Sequence, residues 1–560
     1  MIEERDGAVS DDPVFDPDAV RGYSSLITAR RASGAALVVV VAIAAYVAVH
    51  LHRRGHTTGD DFALYLRQAQ SLFEGNVAQV ISDNRLLWQH AVGVTPQMYP
   101  WGFAVVLSPF VRVFGLDYGR LKLVEVACIC VWLVLYHGIV RRRTGRVAAL
   151  ALTAVFATAP VYLVHTDQLL TEFPHMLAVA VVIWWLDRVM ARHRLTDASV
   201  SELIILGLLV VAAYNVRREG IVLVLVVGVA QLVDLVAARS RGIDGGEGSP
   251  WRRGSHPVGA LPWRRLLVPH LSFVAGAIVA QFLLPSTLLP DNGNSRRFIP
   301  TRLFNINDPN NCPNPESRSC ANYPWHLLQQ LGLTERPVYG LIIIGLALAG
   351  VIVACAKAPR LNVPLAGLMV VTMLVIGTHF RMVARYYFQV TPLIVLFVTI
   401  LLLTAFGELG EIVKSRGRWV SRAAIGLALA PALWLTTIHL WSIPSKIDAA
   451  SRYNDSGAVQ SGPTNERALD AFAIIEEHTR PDDIIVYYRA RTLTLYTDRR
   501  ALQLGTTAIP TMTQVADYFL QSVQSDYSQP VATSGELLAL GYVVVFEDAN
   551  WRLWRIPHPA

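Results

Sequence analysis

The sequence predicts an all-α polytopic membrane protein, with about eleven transmembrane helices, interfacial helices beside them, and a small C-terminal α/β extracytoplasmic domain. Three observations lead there. Hydrophobic residues make up 53% of the chain against 16% charged, and the mean hydropathy is positive, which is too apolar for an ordinary soluble protein. Arginine clusters stand between the apolar runs, where the positive-inside rule puts cytoplasmic loops, so the formal charge of +7 reports topology and not nucleic-acid binding. Beyond residue 442 the composition becomes that of a soluble domain.

Residues 1–29 hold Glu3, Glu4, Asp6, Asp11, Asp12, Asp16 and Asp18 among few large apolar groups, the composition of a disordered cytoplasmic tail. Arg30-Arg31 then precede an apolar run from Gly34 to Leu51, read as an uncleaved anchor that opens a transmembrane domain over 30–442. The outer loop 53–99 starts with Gly59-Asp60-Asp61. Behind it Phe62, Tyr65, Leu66, Ala69, Leu72 and Phe73 recur at helical spacing, and Glu74-Gly75-Asn76 ends the stripe. A helix of about three turns cannot cross a bilayer, so it is expected along the membrane surface with its stripe in the lipid boundary. Residues 100–115, interrupted by Pro109 and Arg112, read as a thin span or a re-entrant segment, and the charge alternation of later loops favours the second.

The remaining spans are expected at 121–140, 147–164, 174–190, 203–216, 221–236, 266–285, 338–356, 363–380, 388–406 and 423–441. Outer loop 286–337 holds Cys312 and Cys320, the pair among five cysteines that an oxidising compartment would bridge, since no His or further Cys stands near at ligand spacing. An odd number of crossings leaves the N-terminus cytoplasmic and the domain at 443–560 outside. In that domain Leu469, Phe472 and Ile475 mark a helix, Ile484 to Tyr487 a strand, and Tyr542 to Phe546 with Trp551 to Ile556 a hairpin. It contains no glycine-rich phosphate loop or nucleophile elbow, and is expected to recognise an acceptor or brace the outer face.

Four polar groups gather at the outer ends of spans: Asp60-Asp61; His165-Thr166-Asp167 with Thr171-Glu172; Arg217-Arg218-Glu219; and Arg381 with Arg385-Tyr386-Tyr387. Each has a plain structural reading. One Asp caps the helix behind it, His165 caps a span, arginines snorkel to lipid phosphates, and the tyrosines sit in an interfacial belt. Together they support a sharper one: a cavity in which arginines hold an anionic head group while a carboxylate deprotonates an acceptor. A transporter or lipid flippase without chemistry is the alternative, although no inverted repeat is visible, and a scaffold is a third reading.

The Asp-Asp-Phe-Ala-Leu-Tyr-Leu stretch at 60–66, Tyr99-Pro100-Trp101-Gly102-Phe103, the segment from His165 to Pro174, Arg217-Arg218-Glu219-Gly220 and Arg385-Tyr386-Tyr387 occur in an order that resembles the GT-C superfamily. Those are glycosyltransferases that use polyprenyl-phosphate sugars, and the protein O-mannosyltransferase and aminoarabinose transferase branch is nearest. The resemblance covers roughly residues 30–440. It implies that Asp60 or Asp61 is the general base, and that Asp167 and Glu172, with His165 beside them, assist the acceptor or a divalent metal ion. Arg385 matches an arginine near the donor phosphate, with Arg217, Arg218 and Arg381 as further phosphate candidates by position. The implied partners are a polyprenyl-phosphate-linked sugar, a hydroxyl acceptor on a glycan, lipid or protein, and membrane lipids. The implied place is the outer face of a cytoplasmic (inner) membrane, bacterial by the high Ala, Val and Arg usage. The chain has Asp-Asp where Asp-Glu is commonest and Tyr-Pro-Trp-Gly where Tyr-Pro-Pro-Gly is usual, so sugar and acceptor stay open.

Overall fold

The computed structural model describes residues 17–57, 59–90, 97–243, 263–288, 323–333, 336–377, 384–412, 418–503, 509–523 and 532–558. Among them nine helices are long and apolar enough to cross a membrane, from Arg31–His50 to Ala423–Asp455, and the protein is a multi-pass membrane protein. The two other expected spans are shorter: Arg146–Thr158 has 13 residues and Val200–Val216 has 17. The first is cut short by Pro160. The residue before a proline is pushed out of the helical region, Ala159 sits at ψ 109°, and a separate turn of helix, Pro160–His165, follows. Beyond that break the 166–171 loop meets His52, Arg53 and His56 at the end of the first span.

Three expectations change. The first helix runs from Pro17 to His50, so its start falls within the stretch read as a tail. Proline costs nothing in a first turn, where its missing N–H would have no partner, and Ala19, Arg21 and Leu26 favour extension of the apolar run backwards. The last span runs on past Trp441 to Asp455, carrying the domain boundary with it. The helix Asp61–Glu74 does not lie in lipid. Its stripe residues Phe62, Tyr65, Leu66 and Ala69 are 0–5% exposed, and Arg67, Gln68 and Ser71 on the other side are buried too, because the C-terminal domain roofs it. Its end is as read, with Gly75 at φ 80° supplying the left-handed turn. The segment Gly102–Phe114 rises only about 20 Å, short of a ~30 Å hydrocarbon core, so it does not cross by itself.

The terminal domain begins with the helix Glu466–His478 and carries a five-stranded sheet in the order β2-β1-β3-β5-β4: β1 Ile484–Val486, β2 Arg500–Leu502, β3 Tyr518–Ser522, β4 Val543–Glu547 and β5 Trp551–Arg555. The first three strands are parallel, and the expected hairpin is antiparallel, with Val544 opposite Trp554. Alternating side chains fill both faces: Ile485, Leu520 and Leu553 on one, Val486, Phe519 and Trp554 on the other. Leu87, from the outer-loop helix Val77–His90, enters the first of these cores. Arg67 adds ion pairs to Asp83 (3.0 Å) and Asp498 (3.1 Å), and Arg500 pairs with Asp83 (3.4 Å). The helices of residues 61–90 and the terminal domain thus pack together.

Candidate active site

The two adjacent aspartates part company. Asp60 turns away from its own helix and accepts three hydrogen bonds from the C-terminal domain: Arg491 N at 3.2 Å, Thr492 N at 2.9 Å and Thr492 Oγ1 at 2.9 Å. Those amides open the helix Ala490–Thr497, whose own leading residue, Arg489, gives no side-chain cap. Asp60 therefore caps a helix in trans. Burial pushes its carboxyl up, against the pull of Arg491 and the Thr492 bonds. With both oxygens committed, it is not placed to meet a substrate.

Asp61 faces the other way and is 38% exposed. Its Oδ1 accepts the Tyr99 hydroxyl at 2.8 Å and lies 3.7 Å from Arg491 Nη1, and its Oδ2 lies 3.7 Å from Arg385 Nη2. Burial, reinforced by the Asp61 charge, pushes the Tyr99 phenol up and keeps it a donor. Gly102 makes this corner. A Cβ there would fall 2.6 Å from the Asn215 carbonyl, so glycine lets the 99–103 segment close on the chain that delivers Arg217.

On the far side of Arg385 from Asp61 lies a small cavity of about 30 Å³ that opens to solvent, lined by Glu172, His175, Arg217, Glu219, Arg385 and Tyr386 among others. Glu172 Oε1 pairs with Arg217 (3.0 Å) and Arg385 (3.3 Å), and its buried Oε2 has no hydrogen-bond partner among the described residues. Arg217 also meets Glu219 at 3.3 Å. Burial opposes the charge of both arginines. The carboxylates outweigh it, Glu219 and Glu172 for Arg217 and Glu172 with Asp61 for Arg385, so both are held well above the usual range. The Tyr386 ring lies 5.5 Å from one guanidinium and 5.7 Å from the other. Tyr387 is fully buried, 4.3 Å from the Tyr323 ring, so neither tyrosine belongs to an interfacial belt.

The other candidates divide. His165 stands at this site's edge, its Nδ1 bonded to Val161 O at 2.7 Å and its ring against Phe388; burial pushes it down. Asp167 is elsewhere, sealed by Lys122 Nζ (2.6 Å) and by Arg53 through N (2.9 Å) and Nε (3.1 Å). Arg218 is spent on structure: it donates to Thr287 O, Ser286 Oγ and Tyr214 O and stacks on the Tyr214 ring at 4.1 Å. Neither Asp167 nor Arg218 is thus placed for the role expected of it, because a nearer partner claims each. Arg381, Cys312 and Cys320 lie outside the described residues. Among those residues no group of three His, Cys, Asp or Glu is arranged to hold a metal ion. Sequence reasoning missed Arg491, which no outer-loop motif announces, and Tyr99, whose motif carried no assigned role.

No family model and no curated protein matches the sequence. Among solved structures, the chain is similar to ArnT from Cupriavidus metallidurans bound to undecaprenyl phosphate, with TM-score 0.51 and 14% identity over 92% of this chain and 97% of that one. The apo state of ArnT gives TM-score 0.51 and 14% identity over 93% and 98%. The apo oligosaccharyltransferase from Archaeoglobus fulgidus gives TM-score 0.50 and 12% identity over 87% of this chain and 69% of that one. At such identities the likeness speaks for the fold alone: the chain has the polytopic fold of these transferase structures over most of its length.

Proposed function

We propose that this protein is a membrane glycosyltransferase that moves a sugar from a polyprenyl-phosphate donor to a hydroxyl acceptor on the outer face of a bacterial cytoplasmic membrane. The observation that carries it is one arginine with two neighbours: Arg385 reaches Asp61 at 3.7 Å and shares Glu172 with Arg217, which sets a carboxylate and an anion-binding pair on one wall. In the reaction, the acceptor oxygen bonds to the anomeric carbon as the bond from that carbon to the phosphate oxygen breaks. Asp61 takes the hydroxyl proton. The electron pair leaves with the polyprenyl phosphate, whose charge Arg217 and Arg385 stabilise, and attack opposite the leaving group inverts the centre. The undecaprenyl phosphate in the similar ArnT structure supports a lipid-phosphate donor for this chain as well.

Asp60→Asn and Asp61→Asn are made separately and assayed in proteoliposomes with polyprenyl-phosphate mannose and polyprenyl-phosphate arabinose labelled in the sugar. Loss of transfer in Asp61→Asn, with a smaller reduction in Asp60→Asn, is the expected result. Full activity in both variants would remove the base. A flippase would move donor without consuming it.

A further inference from the structure

The Asp61 carboxylate is held between two pieces of chain far apart in sequence. Tyr99 comes from the membrane-side segment and donates at 2.8 Å. Arg491 comes from the C-terminal domain, is only 6% exposed at its side chain, and reaches Tyr99 OH at 3.4 Å and Asp61 Oδ1 at 3.7 Å with the same Nη1. Its Nε is fixed by Asn84 Oδ1 at 3.1 Å, its guanidinium lies over the Tyr99 ring, with Cζ 5.0 Å from the centroid, and its own backbone N–H is tied to Asp60. A buried guanidinium costs several kcal/mol in desolvation, and a domain with only a bracing role would gain nothing by aiming one at a half-open carboxylate.

We propose that Arg491 is a positioning residue for Asp61, so that the C-terminal domain completes the catalytic site. This rests on the reading of Asp61 as the base. Arg491 fixes the Tyr99 hydroxyl and one carboxylate oxygen, leaving Oδ2 turned to Arg385. Asp60 is the latch that sets the depth of the Ala490–Thr497 helix and hence of Arg491. The paired acids then have consecutive duties: one seats the domain, and its neighbour receives the group the domain delivers. A side chain misplaced by 1 Å is enough to cost a large rate factor.

The test is a double-mutant cycle on the full-length protein in proteoliposomes with the same labelled donors. Arg491→Gln is expected to lower kcat about 10- to 100-fold while the donor KM stays within about twofold, because the donor phosphate sits with Arg217 and Arg385. Arg491→Lys restores charge without the fork and is expected between Arg491→Gln and the wild type. In an Asp61→Asn background, Arg491→Gln should subtract nothing further, since its target is gone. Tyr99→Phe, which keeps the ring, should give the same non-additivity and serves if Arg491→Gln does not accumulate. The inference is overturned if Arg491→Gln matches the wild type, or if the double variant falls below Asp61→Asn by the full factor of the single change. An Asp61→Asn variant that transfers as fast as the wild type would instead remove Asp61 as the base, and wild-type protein that consumes no donor would sink the glycosyltransferase reading itself.

Discussion

Two clusters of opposite charge sit on the same rim of this protein and are built to different specifications. Around Asp167 the pairs are short and closed: Lys122 Nζ at 2.6 Å, side chains 1% and 3% exposed, and the remaining ammonium protons given to Arg53 O and Gly55 O at 2.8 and 2.7 Å. Around Asp61 the pairs are long, 3.7 Å to each of two arginines, the carboxylate is 38% exposed, and a cavity adjoins. In the first cluster the Lys122 ammonium and both Asp167 oxygens are matched, and the cluster fastens the 52–56 segment to the 166–171 loop. The second has unsatisfied reach, including an orphaned Glu172 oxygen, which leaves room for a ligand to finish it. Acids and bases close together in sequence space do not announce which kind they form. Closure and distance do.

Changes that break this contrast should differ in kind. The largest expected effect is on the open cluster: Asp61→Asn lowers transfer by roughly 10²- to 10⁴-fold, the range of a lost general base, with the thermal unfolding midpoint unchanged. On the closed cluster, Lys122→Met leaves Asp167 with Arg53 as its remaining partner and is expected to cost about 1–3 kcal/mol in stability, read by thermal unfolding in detergent, with kcat per folded molecule retained.

Acid should strike the closed side first. His56 beside it accepts Leu169 N–H on Nε2 at 3.0 Å, and burial pushes the ring down from 6.5 to about 3. His52 is pushed down to about 4, again chiefly by burial. Between these values and 6.5 the unfolded chain binds protons that the native histidines refuse, so their contribution is complete above about pH 6.5 and is lost as pH falls towards 3. The slope is at most about 1.4 kcal/mol per pH unit for each ring, and His56→Gln should flatten it in unfolding midpoints measured from pH 7 to 4.

Smaller effects sharpen the division further. Arg218→Gln is expected to destabilise by about 1–3 kcal/mol through stranded acceptors, with the donor KM unchanged, whereas Arg217→Gln should raise it. Thr492→Val removes one of three bonds to Asp60 and should cost about 1 kcal/mol, detected as a lower unfolding midpoint.

Much of the architecture was legible because it follows from single-chain periodicity. Long apolar runs became helices at the expected places, Gly75 ended the helix behind Asp61, and the hairpin turned at 548–550. Where the reading failed, a neighbour distant in sequence had decided the outcome. The stripe from Phe62 to Phe73 has the pattern of a helix on lipid, but a protein roof satisfies the same pattern. Asp60 has the signature of a cap, and it is one, for a helix that starts at Ala490.

The sequence by itself determined that this chain spans a membrane many times, that arginines and acids collect on one rim, and that a small α/β unit follows. Hydropathy and helical period act over a turn or two and need no partner to be read. Only the tertiary structure decided that Asp61, Glu172, Arg217, Arg385 and Arg491 share a site while Asp167 and Arg218 do not. Direction and distance between side chains hundreds of residues apart are set by packing, as where Asp60, just before its helix, turns to the 490–497 helix while Asp61, the first helical residue, faces Arg385.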